Sequence, residues 1–112
     1  MIYAPQRRAR VRLPAEWEPQ AGVLLTWPHA HGDWGDKLEQ AHAAFVALAA
    51  AIARFEPLLI TCYDSEHQAL VAADLQAAGV PLTRICFTIC PSNDVWARDH
   101  GPISVYQESI LP

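Results

Sequence analysis

The sequence predicts an α/β fold, with helices covering a sheet, on three observations. Short apolar runs recur at 23–27, 57–63 and 84–89; two segments between them carry apolar residues every three or four positions; glycine or proline stands at the joins. Alternation of this kind favours strands connected by helices that pack on a common sheet. It leaves the direction of each strand open.

Residues 1–18 are rich in Pro and Arg and have no sustained period, so they are expected to form an N-terminal arm that wraps the surface or moves. Val23-Leu24-Leu25-Thr26-Trp27 reads as a buried strand stopped by Pro28, which has no N–H for a ladder bond. Residues 28–35 form a loop punctuated by Gly32 and Gly35. From Asp36 to about Phe55, the apolar positions Leu38, Ala41, Phe45, Leu48, Ala49 and Ile52 repeat with helical spacing. Asp36 is placed as the N-cap, with Glu39 in the capping-box position. Residues 57–63 make a second strand, and 65–78 a second helix with Leu70, Ala73 and Leu75 inward and Gly79 ending it. Residues 84–89 and 103–106 complete the strands.

A chain of 112 residues has room for one domain. Its 52% hydrophobic and 18% charged content, with a net charge of −4, is that of a packed chain rather than a disordered one. Positive charge is confined to a cluster at Arg7, Arg8, Arg10 and Arg12, with no basic face to follow a polyanion, so no nucleic-acid partner is expected. The Ala-rich stretch 38–55 includes charged and polar residues, and no signal-peptide core follows the first arginines, so the expectation is a cytoplasmic protein without a membrane partner. Cys62, Cys86 and Cys90 are an odd number and too few for a disulfide framework, which points to a reducing compartment. The final Ser109-Ile110-Leu111-Pro112 follows an apolar-leaning segment directly, which suggests truncation.

The most informative stretch is Pro91-Ser92-Asn93-Asp94-Val95-Trp96-Ala97-Arg98-Asp99-His100-Gly101-Pro102, between two strand candidates. Loops at strand ends bring polar groups above a rigid sheet. Asp94 and Asp99 supply carboxylates, Trp96 an apolar face, and Gly101-Pro102 a sharp turn. A planar guanidinium matches that set, because a carboxylate accepts two parallel donors and an aromatic wall flanks the cation. The alternative is a structural turn in which Arg98 pairs with Asp94 and Trp96 packs. His100 has the reference pKa of an acid or base but, with no nucleophile shown near it, is read as an ordinary loop histidine.

His29-Ala30-His31-Gly32-Asp33-Trp34 offers two imidazoles and a carboxylate, the start of a metal site, against a surface turn in which Trp34 packs and the histidines stay solvated. The cysteines are read as core or loop-edge residues, because no Cys-His-carboxylate spacing or CxxC occurs.

Two blocks occur in an order that resembles the agmatine deiminases and related bacterial peptidyl-arginine deiminases. They are Pro14-Ala15-Glu16-Trp17-Glu18-Pro19 leading to Leu25-Thr26-Trp27-Pro28, and the later Trp96-Ala97-Arg98-Asp99-His100-Gly101-Pro102. The resemblance covers most of the chain. It implies the first unit, with the start of the second, of a five-fold pentein α/β-propeller, residues 19–112 then being the N-terminal part of an incomplete catalytic domain. It also implies that Asp99 binds the substrate guanidinium, that Trp96 lines the same pocket, and that Asn93, Asp94, Arg98, Gly101 and Pro102 support the loop. The implied reaction is cofactor-free hydrolysis of a guanidine C–N bond, agmatine becoming N-carbamoylputrescine and ammonia. Its cysteine nucleophile, histidine and second carboxylate lie later in the family's chain, so the 112 residues alone are expected to be inactive and to need the missing C-terminal part as a partner.

Three other readings stay open. The substrate is peptidyl-arginine, giving peptidyl-citrulline. The chain is a non-catalytic binding or assembly module whose open strand edges pair with another chain, a second copy included. Or it belongs to a metal-dependent hydrolase that uses His29 and His31.

Overall fold

A computed structural model describes residues 9–91 and 105–109, the side chains of 9, 10 and 106–109 excepted. The strands are β1 (Ala9–Arg12), β2 (Val23–Thr26), β3 (Leu58–Cys62), β4 (Ile85–Ile89) and β5 (Tyr106–Ser109). The helices are α1 (Leu38–Ala53) and α2 (Ser65–Ala77), and single 3-10 turns at Gly35–Lys37 and Leu82–Arg84 precede α1 and β4. Contacts divide the chain into two compact units, residues 20–101 and a smaller one made of 1–19 with 102–112.

The larger unit is a β-α-β-α-β run with three strands in the order β2-β3-β4, all parallel. Strands joined through a helix can return parallel, and crossovers of one hand place both helices on one face. Register sets which residues share that face: Val23 pairs with Leu58 and Leu58 with Ile85, then Leu25 with Ile60 and Ile60 with Phe87. These two rows pack under the helices around a core of Leu58, Ile60, Cys62, Val71 and Leu75. The intervening row, Leu24-Leu59-Cys86, points the other way, as the two-residue period of a strand requires.

On the helix-covered face, α1 is held by small residues. Ala41, Ala49 and Ala53 are the buried residues of α1, and their lack of bulk lets its backbone approach the sheet. Leu48, expected inward, is 45% exposed; on α2 Leu75 is buried as expected, while Leu70, at 55%, and Ala73 are exposed and Val71 is buried in their place. Asp36 is not an N-cap: it lies inside the 3-10 turn, and α1 starts after Lys37 with no side-chain cap. A 3-10 turn running straight into the helix supplies backbone continuity where a cap would otherwise sit.

The second helix is capped at both ends by side chain and backbone. Asp64, extended at φ −153°, accepts the His67 N–H, one of the donors the first turn leaves unpaired. Gly79 ends it at φ +85°, with Gly79 N–H bonding to Gln76 and Val80 N–H to Leu75. This is the Schellman arrangement, and buried Val80 beside buried Leu75 provides its apolar contact. At the start of β2, a Cβ on Gly22 would lie 2.8 Å from the Pro57 carbonyl oxygen, the acceptor of Val23 N–H, so any side chain there opposes the first rung of the ladder.

In the smaller unit β1 and β5 pair antiparallel, Arg12 facing Tyr106 and Ala9 facing Ser109. Residues 9–12 had shown no strand period; their ladder comes from a partner almost a hundred positions away in sequence, which local reading cannot see. Of the fourth strand's expected span, 103–106, residues 103 and 104 lie outside the described residues, and Tyr106 falls in β5, which pairs in this ribbon with β1. Arg12 grips both carboxylate oxygens of Glu18 at 2.9 Å, and the Ala15 N–H also donates to Glu18. The Ala15 and Arg12 bonds hold the Glu18 carboxyl below its ordinary pKa.

Candidate functional site

The residues singled out around the guanidinium reading, Asn93, Asp94, Trp96, Arg98, Asp99, His100, Gly101 and Pro102, lie outside the described residues. Their segment follows Pro91, where the chain leaves the C-terminal end of β4 after a last ladder bond from Cys90 N–H to the Cys62 carbonyl.

The described residues gather a different polar group at the C-terminal ends of β2 and β3. Pro28, which stops β2, and Tyr63, which follows β3, carry the chain over the sheet there, and a cavity of about 520 Å³ opens between them and the two helices. Four histidines line it: His29, His31, His42 and His67. Sequence reading had paired only the first two.

Three of these rings have their protonation fixed by the partners around them. Nδ1 of His67 accepts the Tyr63 N–H at 2.9 Å, Nδ1 of His42 accepts the Trp27 indole N–H at 2.9 Å, and Nδ1 of His29 accepts the His31 N–H at 3.1 Å. An amide or indole N–H can only donate, so each Nδ1 is bare and each ring is a neutral Nε2–H tautomer. His67 then donates from Nε2 to the Pro28 carbonyl at 3.0 Å, and His42 to Asp74 at 2.6 Å. Burial holds the His67 pKa below its ordinary value, against the Pro28 bond and the Asp64 charge, which act to raise it.

His42 and Asp74 have the outline of an acid–base dyad, but the ring nitrogen such a base would use is occupied by the Trp27 indole. The arrangement instead satisfies the one polar atom of Trp27, whose ring is fully buried against His42 and Phe45. It ties β2, α1 and α2 together through a single line of hydrogen bonds.

The metal reading of His29 and His31 meets the same obstacle. Among the described residues no group of three His, Cys, Asp or Glu side chains is set to hold a metal ion, and the His29 Nδ1 lone pair is already committed. The histidines are not both solvated either: His29 is 6% exposed, while His31 is exposed and stacks on Tyr63 at 4.3 Å and 20°.

Cys62 is buried, and burial, aided by the Asp64 charge, pushes its thiol up to about 12, the opposite of an activated nucleophile. Cys86 and Cys90 are free and exposed, the former on the face of β4 turned away from the helices. Among the described residues no helix is long and apolar enough to cross a membrane.

Comparison with known proteins decides the family. Residues 12–111 match the sequence profile described as Porphyromonas-type peptidyl-arginine deiminase. The chain belongs to this family.

Relatives include the agmatine deiminase of Stutzerimonas stutzeri, 35% identical over 87% of this chain and 25% of its own length. That of Pseudomonas savastanoi is 38% identical over 86% of this chain and 24% of its own. The solved C. jejuni agmatine deiminase superposes with a TM-score of 0.68 at 20% identity, covering 93% of this chain and 30% of that one, a likeness that concerns the fold. The chain therefore spans about a quarter of the length of the curated relatives it matches. The α/β class is shared with these family structures, and the parallel sheet derived above is its local form. The sequence signals that reached this family were the two Trp-containing blocks. The signals missed were His42, Tyr63, Asp64, His67 and Asp74, of which only Asp64, placed directly before a helix, had a local cue.

Proposed function

We propose that the protein of which this chain is about a quarter hydrolyses the guanidine C–N bond of agmatine, forming N-carbamoylputrescine and ammonia. The observation that carries the reading is 35–38% identity to two agmatine deiminases over most of this chain, beside a family profile whose match, 12–111, takes in the Trp96-Ala97-Arg98-Asp99-His100-Gly101-Pro102 block. In this reading residues 1–18 are an arm, 19–112 are the N-terminal part of the catalytic domain, and the whole is a five-unit pentein propeller in the cytoplasm. The substrate is a small guanidine compound, and no cofactor takes part.

Asp99 accepts two N–H bonds from the guanidinium and holds it charged and flat, with Trp96 as the wall of the pocket. Arg98 turns elsewhere, since its charge beside a second guanidinium is repulsive. Asn93, Asp94, Gly101 and Pro102 shape the loop. A cysteine thiolate from a later part of the chain bonds to the guanidinium carbon, and ammonia leaves with a proton. Water then adds to the thiouronium carbon, the C–S bond breaks, and the thiolate is restored with the carbamoyl product released.

The test is turnover by the full-length protein. Ammonia and N-carbamoylputrescine are expected in equal amounts, and Asp99→Asn is expected to lower kcat/KM by about 2–5 kcal/mol, the cost of removing one partner of a desolvated charge pair. The family's own description favours a second reading, peptidyl-arginine as substrate. Citrulline formation on a peptide without agmatine turnover selects it, and unchanged kinetics in the Asp99 variant removes the role given to that carboxylate.

A further inference from the structure

The cavity at the ends of β2 and β3 has one-sided electrostatics. Glu39, Asp64, Glu66 and Asp74 bring carboxylates to its lining, and neither Lys nor Arg contributes. Three of the four lining histidines do not offset them, because Nδ1 of His29, His42 and His67 each accepts an N–H, which a protonated ring cannot do. Asp74 is committed to His42 and Asp64 to the cap of α2. Among the described residues Glu39 and Glu66 make no hydrogen bond or ion pair, which leaves two exposed carboxylates at the cavity for a cation.

The remainder of the lining is not that of an inorganic ion site. Tyr63 forms an aromatic wall, stacked with His31 and tilted 40° against His29 at 4.4 Å. Leu38 and Leu70 add aliphatic surface, and Leu70 is 55% exposed on a helix whose buried positions are Val71 and Leu75. A volume of about 520 Å³ lies in the range of pockets that hold small organic molecules and far exceeds one ion.

We propose that this cavity binds an alkyl-bearing organic cation, an ammonium or guanidinium head lying between Glu39, Glu66 and the Tyr63 wall, with its methylenes on Leu38 and Leu70. Carboxylates and an aromatic ring attract the head, and the aliphatic surface takes the chain out of water. An anion of the same length meets four carboxylates and is rejected. The inference rests on the lining and not on the deiminase reading.

The experiment uses the full-length protein with isotope-labelled histidine, titrated with n-butylammonium and, as the charge control, butyrate. The expected result is saturable movement of the His29 and His31 ring signals with n-butylammonium and none with butyrate. The double substitution Glu39→Gln with Glu66→Gln is expected to weaken that binding at least tenfold. Leu70→Ser, at an exposed position, is expected to weaken n-butylammonium binding more than methylammonium binding. Static His29 and His31 signals, an equal response to butyrate, or undiminished affinity in both variants overturns the proposal. Because agmatine turnover is measured separately, a working deiminase with unmoved histidine signals sinks this inference alone.

Discussion

The middle of β3 and its C-terminal end are held by different physics. At Leu58 and Ile60 the strand is buried under both helices, and what matters there is apolar volume, which is non-directional and tolerant of small shifts. Three residues past Ile60, at Tyr63, the backbone N–H is bonded to a histidine ring whose other nitrogen reaches the end of β2. There the bonds are directional, and each depends on a particular protonation state. The comparison teaches that one short strand is both a packing element and the support of a polar wall, with the change occurring within a single turn of chain.

The comparison breaks most readily from the packed side. Ile60→Ala removes a fully buried side chain at the centre of the sheet and is expected to cost about 2–5 kcal/mol, read from chemical denaturation at neutral pH. Trp27→Phe keeps an aromatic ring but takes away the donor to His42, and about 1–3 kcal/mol is expected from that orphaned nitrogen, with the loss of indole volume added to it. If this variant is as stable as the parent, the line from Trp27 through His42 to Asp74 contributes nothing.

A smaller effect, with a pH signature, distinguishes the polar end. The pKa of His67 lies below its ordinary 6.5 in the folded chain, so the unfolded chain takes up the proton first as pH falls. Its contribution is therefore complete above about pH 6.5, declines as pH drops below that value, and levels off beneath the folded pKa. His67→Asn keeps an acceptor near Nδ1 but does not titrate. Denaturation at several pH values from 5 to 8 is expected to show a shallower acid-side slope for this variant, with about 1 kcal/mol lost at neutral pH with the Pro28 bond. An identical slope would show that His67 is protonated alike in both states. Least of all, Leu70→Ala at its exposed position is expected to change stability by no more than about 0.5 kcal/mol, and a larger loss would place Leu70 in the core after all.

Much of the larger unit was legible because its signals are local. Strands 23–26, 58–62 and 85–89 sit inside the predicted apolar runs, and Gly79 ended α2 as expected, since only a residue free of a Cβ penalty takes φ +85° easily. Helical period located α1 but misassigned Leu48, because the period does not say how wide the buried stripe is, and the stripe here is made of alanines. Asp36 failed as a cap for a related reason: a 3-10 turn extends the helical path by one turn, and no residue type announces it.

The candidate site divides in the same way. The family could be recognised from contiguous residues, with the order Trp96, Arg98, Asp99, Gly101 and Pro102 written along the chain. The histidine wall could not, since His29, His42 and His67 lie on β2's end, α1 and α2, and their neutrality follows from donors supplied by His31, Trp27 and Tyr63.

What the sequence by itself determined is the alternation of strand and helix, the place of each buried run and the family, because these depend on neighbours along the chain. What only the tertiary structure decided is the parallel order β2-β3-β4, the pairing of β1 with β5, and the tautomers of three histidines. The reason is that strand partners and hydrogen-bond donors are chosen in space: a backbone amide 4 residues away or an indole 15 residues away becomes a ring's partner only after the helices have closed over the sheet.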